Sequence, residues 1–356
     1  MYDIIIIGSG PAGSTLARLL DRKFKILLID KRNLTDSINF KREKCCGGLL
    51  APAAQKALAR QGLGVPNEVL MGPQTFSVKS VDLDNDITCY YQRHYININR
   101  EKFDRWLVSL ISDNVEMSFS SIFKSYKREN GHFRVIYEKD NVLHEVKTSI
   151  LIGADGAVSR VRDQTFQGKA IPRKYVSIQE QFKVTGVMPY YVSVFDNNVS
   201  DFYSWIIQKS DELLVGTAIP EDSDIENRYN ILIEKLKELG LIQGKALKRT
   251  GAVIMRPDKL NQIHCCSDKI ALIGEAAGFI SPSSAEGISY ALESGRLLAV
   301  CLNKNHQDFE KAYRKKLIGL KMNLMYKKLK VLLMYNGIIR KIIMKTRLLS
   351  MEVEER

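Results

Sequence analysis

The chain has 356 residues, 45% hydrophobic and 26% charged, which describes a folded protein longer than one ordinary core needs. Its net charge of +13 is concentrated: twelve Lys and Arg and no acid stand between Lys311 and Arg347, so the rest is nearly neutral and no nucleic-acid motif is legible. No uncharged run reaches membrane-spanning length, and six cysteines without regular spacing fit a reducing compartment.

In chain order, "MYDIIIIGSG" has no basic leader, so a cytoplasmic location is expected. Ile4 to Ile7 read as a strand buried on both faces. Gly8, Gly10 and Gly13 follow as G-x-G-x-x-G. The first allows a tight turn, the second lets a pyrophosphate approach the backbone, and the third packs helix on strand. "KILLID" is a second strand ending at Asp30, placed to accept from a ribose hydroxyl, with Lys31 beside it. "KCCGGLL" at 44–50 needs another explanation. Adjacent cysteines have Cα atoms ~3.8 Å apart, below the usual disulfide range. The five histidines show no ligand spacing, so no metal is expected; pairing with "HCC" at 264–266 as a zinc site is the remaining metal alternative.

Residues 73–96 and 172–219 alternate and are rich in Tyr, Val, Ile and Phe, which reads as a second sheet. Between them lie Arg100, Asp104 and Leu107, spaced R-x-x-x-D-x-x-L, and "ILIGADGAVSRVR", a strand followed by the Asp155-Gly156 turn. Residues 223–240 form an amphipathic pattern ending at Gly240. "KIALIGEAAGFISPSSAEGISYALESG" at 269–295 is a strand ending at Gly274, then Glu275, then a helix expected to start at Ser283 or Ser284, with Glu286 close behind. That helix start would aim its positive end at a ligand, and Gly287 would admit the ligand without a Cβ clash. A helix over 306–318 precedes a stretch that mixes Leu, Ile and Met with Lys and Arg.

Together these motifs resemble the FAD-binding fold of the para-hydroxybenzoate hydroxylase and geranylgeranyl reductase superfamily. "KCCGG" is similar to the K-P-C-G-G stretch of geranylgeranyl reductases, with Cys46 on its cysteine and Cys45 on its proline. "GEAAGFISPSSAEGISYAL" looks closer still to the CbrA-like bacterial branch. The resemblance implies an α/β fold: a Rossmann-like FAD-binding domain from 1–72, 97–165 and 257–305, an inserted antiparallel β-sheet substrate domain from 73–96 and 166–256, and a helical tail over 306–356. It implies that Gly8, Gly10, Gly13, Asp30 and Lys31 hold the ADP half. Arg100 would lie near the pyrophosphate, Asp155 would support the cofactor, and Gly274, Glu275, Gly287 and Ile288 would hold its ribityl and ring end, with Cys46 and Gly47 beside the ring. The family's motif has Asp where Glu275 stands. Tyr203 and Trp205 match the reductases' Y-x-W-x-F-P-K hairpin as substrate-side residues, although Ile207 and Gln208 replace its Phe-Pro. Cys46 is then either a proton donor or a space-filling side chain.

The activity so implied is an FAD-dependent reductase of carbon–carbon double bonds in an isoprenoid or other apolar substrate. No second dinucleotide fingerprint is present, so NAD(P)H as reductant would bind transiently over the same flavin, or a reduced electron-transfer protein would supply the electrons. A flavin-dependent monooxygenase and a non-enzymatic membrane-associated flavoprotein are the alternatives. The basic, apolar tail is expected to hold an anionic membrane surface peripherally, on its cytoplasmic side.

Overall fold

The computed structural model describes residues 1–35, 44–184, 186 and 188–353. The chain shuttles between two sheets. It begins in the first with β1 (Tyr2–Ile7), α1 (Pro11–Leu19) and β2 (Ile26–Ile29), and crosses to the second through β3 (Leu49–Leu50), α2 (Pro52–Arg60), β4 (Thr75–Asp82) and β5 (Ile87–Asn97). It returns with α3 (Arg100–Ser109), β6 (Val115–Ser118), β7 (Ser121–Glu129), β8 (His132–Lys139), β9 (Val142–Gly153) and α4 (Arg160–Thr165). A long excursion completes the second sheet with β10 (Arg173–Lys183), β11 (Tyr190–Phe195), β12 (Tyr203–Lys209), β13 (Glu212–Pro220), α5 (Ile225–Glu238) and β14 (Lys248–Arg256). β15 (Cys266–Ser267), β16 (Ile270–Leu272) and α6 (Ile288–Lys304) close the first. The chain then runs through α7 (Phe309–Lys316), α8 (Ile318–Tyr335), α9 (Gly337–Lys345) and β17 (Ser350–Met351).

The first sheet has the order β15-β16-β9-β1-β2-β6, with β7 and β8 extending from β9. Pairings from β16 to β6 are parallel, which explains why Ile4 to Ile7 are apolar on every position: helices and strands cover both faces. α1 crosses α6 closely, because a Cβ on Gly295 would stand 2.6 Å from the Ala12 carbonyl oxygen. This is the α/β, FAD-binding class of fold that the motifs imply.

The second sheet runs β14-β10-β13-β12-β11-β4-β5-β17. Its strands alternate. Ile178, Val192, Ile206 and Val215 meet Tyr229, Leu232 and Leu236 of α5 on the outer face. Tyr175, Tyr191, Phe202, Trp205 and Ile207 form the inner face, against which Leu49, Ala285 and Tyr335 pack. The inner face is therefore shared by β3, the loop before α6 and the end of α8. The tail is built into this sheet: β17 pairs with β5, and Arg340 of α9 forms an ion pair with buried Asp82 of β4 at 2.7 Å.

One expected boundary is corrected. α6 begins at Ile288 with Gly287 as N-cap, not at Ser283 or Ser284. The Ser281 N–H donates to the Glu286 carbonyl at 2.9 Å, and Ala285 takes φ 48°, so 281–286 closes as a loop before the helix can start.

Candidate functional site

The glycine loop sits at the carboxyl end of β1. Gly8 takes φ 102°, and a Cβ there would lie 2.5 Å from the Ala154 carbonyl oxygen. A Cβ on Gly13 would lie 1.9 Å from the Gly8 carbonyl oxygen, so both glycines are demanded by packing. Gly10 differs: nothing stands within 4 Å of a Cβ there. It is the N-cap of α1, no side chain caps that helix, and Pro11 follows at the first position. The first-turn N–H groups and the positive helix end therefore point into open space suited to an anion.

Asp30 secures this loop. Its Oδ2 accepts from Ser9 N–H at 2.7 Å and Ser9 Oγ at 2.8 Å, and its Oδ1 accepts from Arg32 N–H at 2.8 Å. Burial pushes its carboxyl up, but Arg32 and the Ser9 donors outweigh this and hold it below the usual range. Lys31 points outward and is exposed, while Arg32, which the sequence reading passed over, turns in and donates to Asp104 at 2.7 Å.

Asp104 is fully buried, with Arg100 Nε donating to it at 2.9 Å. The R-x-x-x-D spacing puts the pair on one face of α3. Burial raises the Asp104 carboxyl, yet Arg100 and Arg32 hold it down at about 2. Arg100 Nη1 also donates to Cys46 Sγ at 3.3 Å, and Gly48 N–H donates to the same sulfur at 3.4 Å. Burial pushes the Cys46 thiol up; Arg100 and the Gly48 N–H override it, so the net shift is downward. Cys45 faces the second sheet instead, donating to Gln179 Oε1 at 3.2 Å, and burial pushes its thiol up.

The 45–48 loop is packed between β12 and the chain leading into α3. A Cβ on Gly47 would stand 2.9 Å from Ile207 Cδ1, and Gly48, at φ 61°, would place one 2.5 Å from the Ile98 carbonyl oxygen. Lys209, at the end of β12, fastens the loop from below. Its Nζ donates to the carbonyl oxygens of Gly48 at 2.9 Å and Ile98 at 3.1 Å, and to Asn97 Oδ1 at 2.5 Å. Burial pulls its ammonium down to about 7, with Cys46 pulling the other way. The sequence reading did not name Lys209, although it stands on the lysine that ends the Y-x-W-x-F-P-K match; β12 is buried at every position from Ser204 to Gln208, so no alternation shows which way its end points.

The remaining predicted residues line the other side. Asp155 accepts from Ser159 Oγ at 2.5 Å and Arg160 N–H at 2.9 Å, so it anchors the start of α4. Glu275 Oε1 accepts from Met255 N–H at 3.1 Å. Burial raises both carboxyls above their usual values. Gly274 takes φ 58° and lies beside Ala12 of α1. Gly287 has only Ile280 near a built Cβ, and Ile288 is buried. The free helix end expected here is already partly used: Glu286 Oε1 accepts from Ser289 N–H at 2.7 Å. Tyr203 Oη donates to the Ser284 carbonyl oxygen at 3.0 Å, tying the aromatic face to this loop. Trp205 lies over Gly216, and its buried Nε1 has no partner among the described residues. No group of three or more metal-ligating side chains occurs among the described residues, all six cysteines are free, and Cys266 packs under α7 rather than near Cys46.

Lys44, Cys46, Arg100, Asp155 and Glu275 each keep some accessible surface, and the charges of Arg100, Asp104 and Glu275 all act on the Lys44 ammonium. The open Gly10 turn and the cations Lys44 and Arg100 are the groups available to an anionic ligand. The donor set suits a dinucleotide flavin, whose anionic diphosphate the α1 helix end and the cations Arg100 and Lys44 would take.

The family described as FAD binding domain matches residues 1–240. The chain belongs to that family of FAD-dependent oxidoreductases. It is 41% identical over 345 residues to Protein CbrA of Escherichia coli O6:H1, covering 97% of this chain and 93% of that one. Among solved structures it is similar to a geranylgeranyl bacteriochlorophyll reductase-like protein of Thermoplasma acidophilum, with TM-score 0.80 and 18% identity over 97% of this chain and 90% of the other. It is also similar to PqsL of P. aeruginosa in complex with 2-aminobenzoylacetate, with TM-score 0.72 and 17% identity over 98% and 99% of the two chains. A flavin-dependent brominase, Bmp2, shares the fold at TM-score 0.70 and 19% identity, over 97% and 93%.

Proposed function

We propose that this flavoprotein is a reductase that saturates a carbon–carbon double bond in an isoprenoid or other apolar substrate. The observation that carries the reading is the Cys46 thiol, held by Arg100 Nη1 at 3.3 Å and the Gly48 N–H at 3.4 Å, at the seam between the cofactor-side loops and the aromatic sheet face. Bound FAD supplies hydride chemistry, and NAD(P)H or a reduced electron-transfer protein loads it. Cys46 supplies the proton. Its S–H bond breaks as a C–H bond forms at the second alkene carbon, and the electron pair stays on sulfur. Arg100 and the Gly48 N–H stabilise that thiolate until water reprotonates it. Tyr95, Tyr191, Tyr203 and Trp205 offer an apolar wall that excludes water from the reacting carbons. Likeness to the geranylgeranyl reductase-like protein supports the same substrate class, while the PqsL and Bmp2 folds mark oxygen chemistry as the competitor.

The test is anaerobic photoreduction of the purified enzyme, followed by an isoprenoid alcohol or by O2. Reoxidation of the flavin by the alkene under strict anaerobiosis supports the reading. A flavin that the alkene leaves reduced, and that only O2 reoxidises, overturns it.

A further inference from the structure

α8 carries an apolar ridge on its outward side. Ile318, Met322, Tyr326, Leu329 and Leu333 are spaced by three or four residues, which keeps them on one stripe, and each is between 47% and 63% exposed. Ile338 and Ile342 of α9 continue it at 74% and 59%. Lys315, Lys316, Lys330, Lys341 and Lys345 flank the ridge, are exposed, and have no carboxylate partner among the described residues; the basic residues of these helices that do find one, such as Arg314, Lys327 and Lys328, reach acids outside the 311–347 stretch.

The ridge is not a loose segment. The inner side of α8 is tied down by Leu324, which is buried, by Tyr290 Oη donating to Asn323 Oδ1, and by Tyr335 Oη donating to the Ser283 carbonyl oxygen at 2.8 Å. α9 is held by Arg340, which is 5% exposed and pairs with Asp82 and Asp84, each at 2.7 Å. A rigid apolar stripe bordered by unpaired cations is thus presented to solvent at the rim of the aromatic face.

We propose that α8 and α9 dock this protein on an anionic lipid bilayer, ridge inward, without crossing it. Among the described residues no helix is long and apolar enough to cross. Charge selects the occupant. In a two-fold dimer the same patch would meet itself and set lysine against lysine, whereas anionic headgroups neutralise the cations and the acyl boundary takes the ridge. Tyr335, on the opposite side of α8 from the ridge, stacks on Phe202 of the aromatic face, so the docking helix itself borders that face. A substrate dissolved in the bilayer would then enter without crossing water; that consequence rests on the proposed function, and the docking does not.

The experiment is flotation of the full-length, FAD-loaded protein with phosphatidylcholine vesicles, with and without about 30 mol% phosphatidylglycerol, at low and high salt. The wild type floats with the anionic vesicles and less so at high salt. The double variant Leu329→Asp, Leu333→Asp keeps its flavin and melting temperature but binds roughly 100-fold more weakly. Absence of wild-type flotation on anionic vesicles overturns the proposal, as does equal flotation of the variant. A wild-type dimer in sedimentation that the variant converts to monomer also overturns it and makes the ridge a subunit interface. Alkene-dependent reoxidation assayed in detergent micelles reads the chemistry separately, so failure of docking and failure of the reductase reading are distinguishable.

Discussion

Cys46 Sγ accepts from Arg100 at 3.3 Å, while Cys45, one residue earlier, faces Gln179 Oε1 at 3.2 Å. Neighbours in sequence, they point into different environments and are pushed in opposite directions, Cys46 down and Cys45 up. Cys46→Ser is expected to keep FAD bound and to lower turnover by about 100-fold, and Cys45→Ser to change turnover little. Flavin content and anaerobic turnover of the two variants check this. Lys209 gives a pH-dependent prediction. Its folded value of about 7 lies below the ordinary lysine value, so between the two the unfolded chain holds a proton that the folded chain has shed. Stability therefore rises with pH over that window and is lost as pH falls toward the folded value. Urea unfolding at about pH 7 and about pH 9 should show the wild type gaining on Lys209→Met at the higher pH.

At the scale of elements, the glycine loop separates packing from ligand space. A Cβ on Gly13 meets the Gly8 carbonyl oxygen at 1.9 Å, whereas one on Gly10 meets nothing within 4 Å. Gly13→Ala is expected to destabilise the fold by about 3 kcal/mol. Gly10→Val should fold with a near-normal melting temperature and lose FAD, which released-flavin absorbance would record. The strand, the glycines and Asp30 were legible because a turn onto a helix end constrains residue type at fixed offsets. The start of α6 was not. Ser283, Ser284 and Glu286 have the composition of a helix cap, but Ala285 at φ 48° and the Ser281–Glu286 hydrogen bond make a loop of them. Lys31 and Arg32 were equivalent in sequence; only the buried Asp104, supplied by α3, selects Arg32 as the inward cation.

At the scale of the molecule, two sheets are built from interleaved segments, and the tail is fastened to the second of them. Nothing in sequence announces that Arg340 pairs with Asp82, 258 positions away, or that Ser350 and Met351 extend the sheet at β5. Arg340→Ala leaves Asp82 buried and unpaired, and should cost about 3–5 kcal/mol in urea unfolding while exposing α9 amides to exchange. The central claim is that the Cys46 seam and the aromatic face reduce an alkene with FAD. Its most direct test is the product of a single anaerobic turnover of reduced enzyme on an isoprenoid alkene, identified by mass spectrometry. A product that has gained two hydrogens, formed by the wild type and much more slowly by Cys46→Ser, is the predicted result. An unchanged alkene under those conditions, with an oxygen-containing product appearing only when O2 is admitted, would contradict the account.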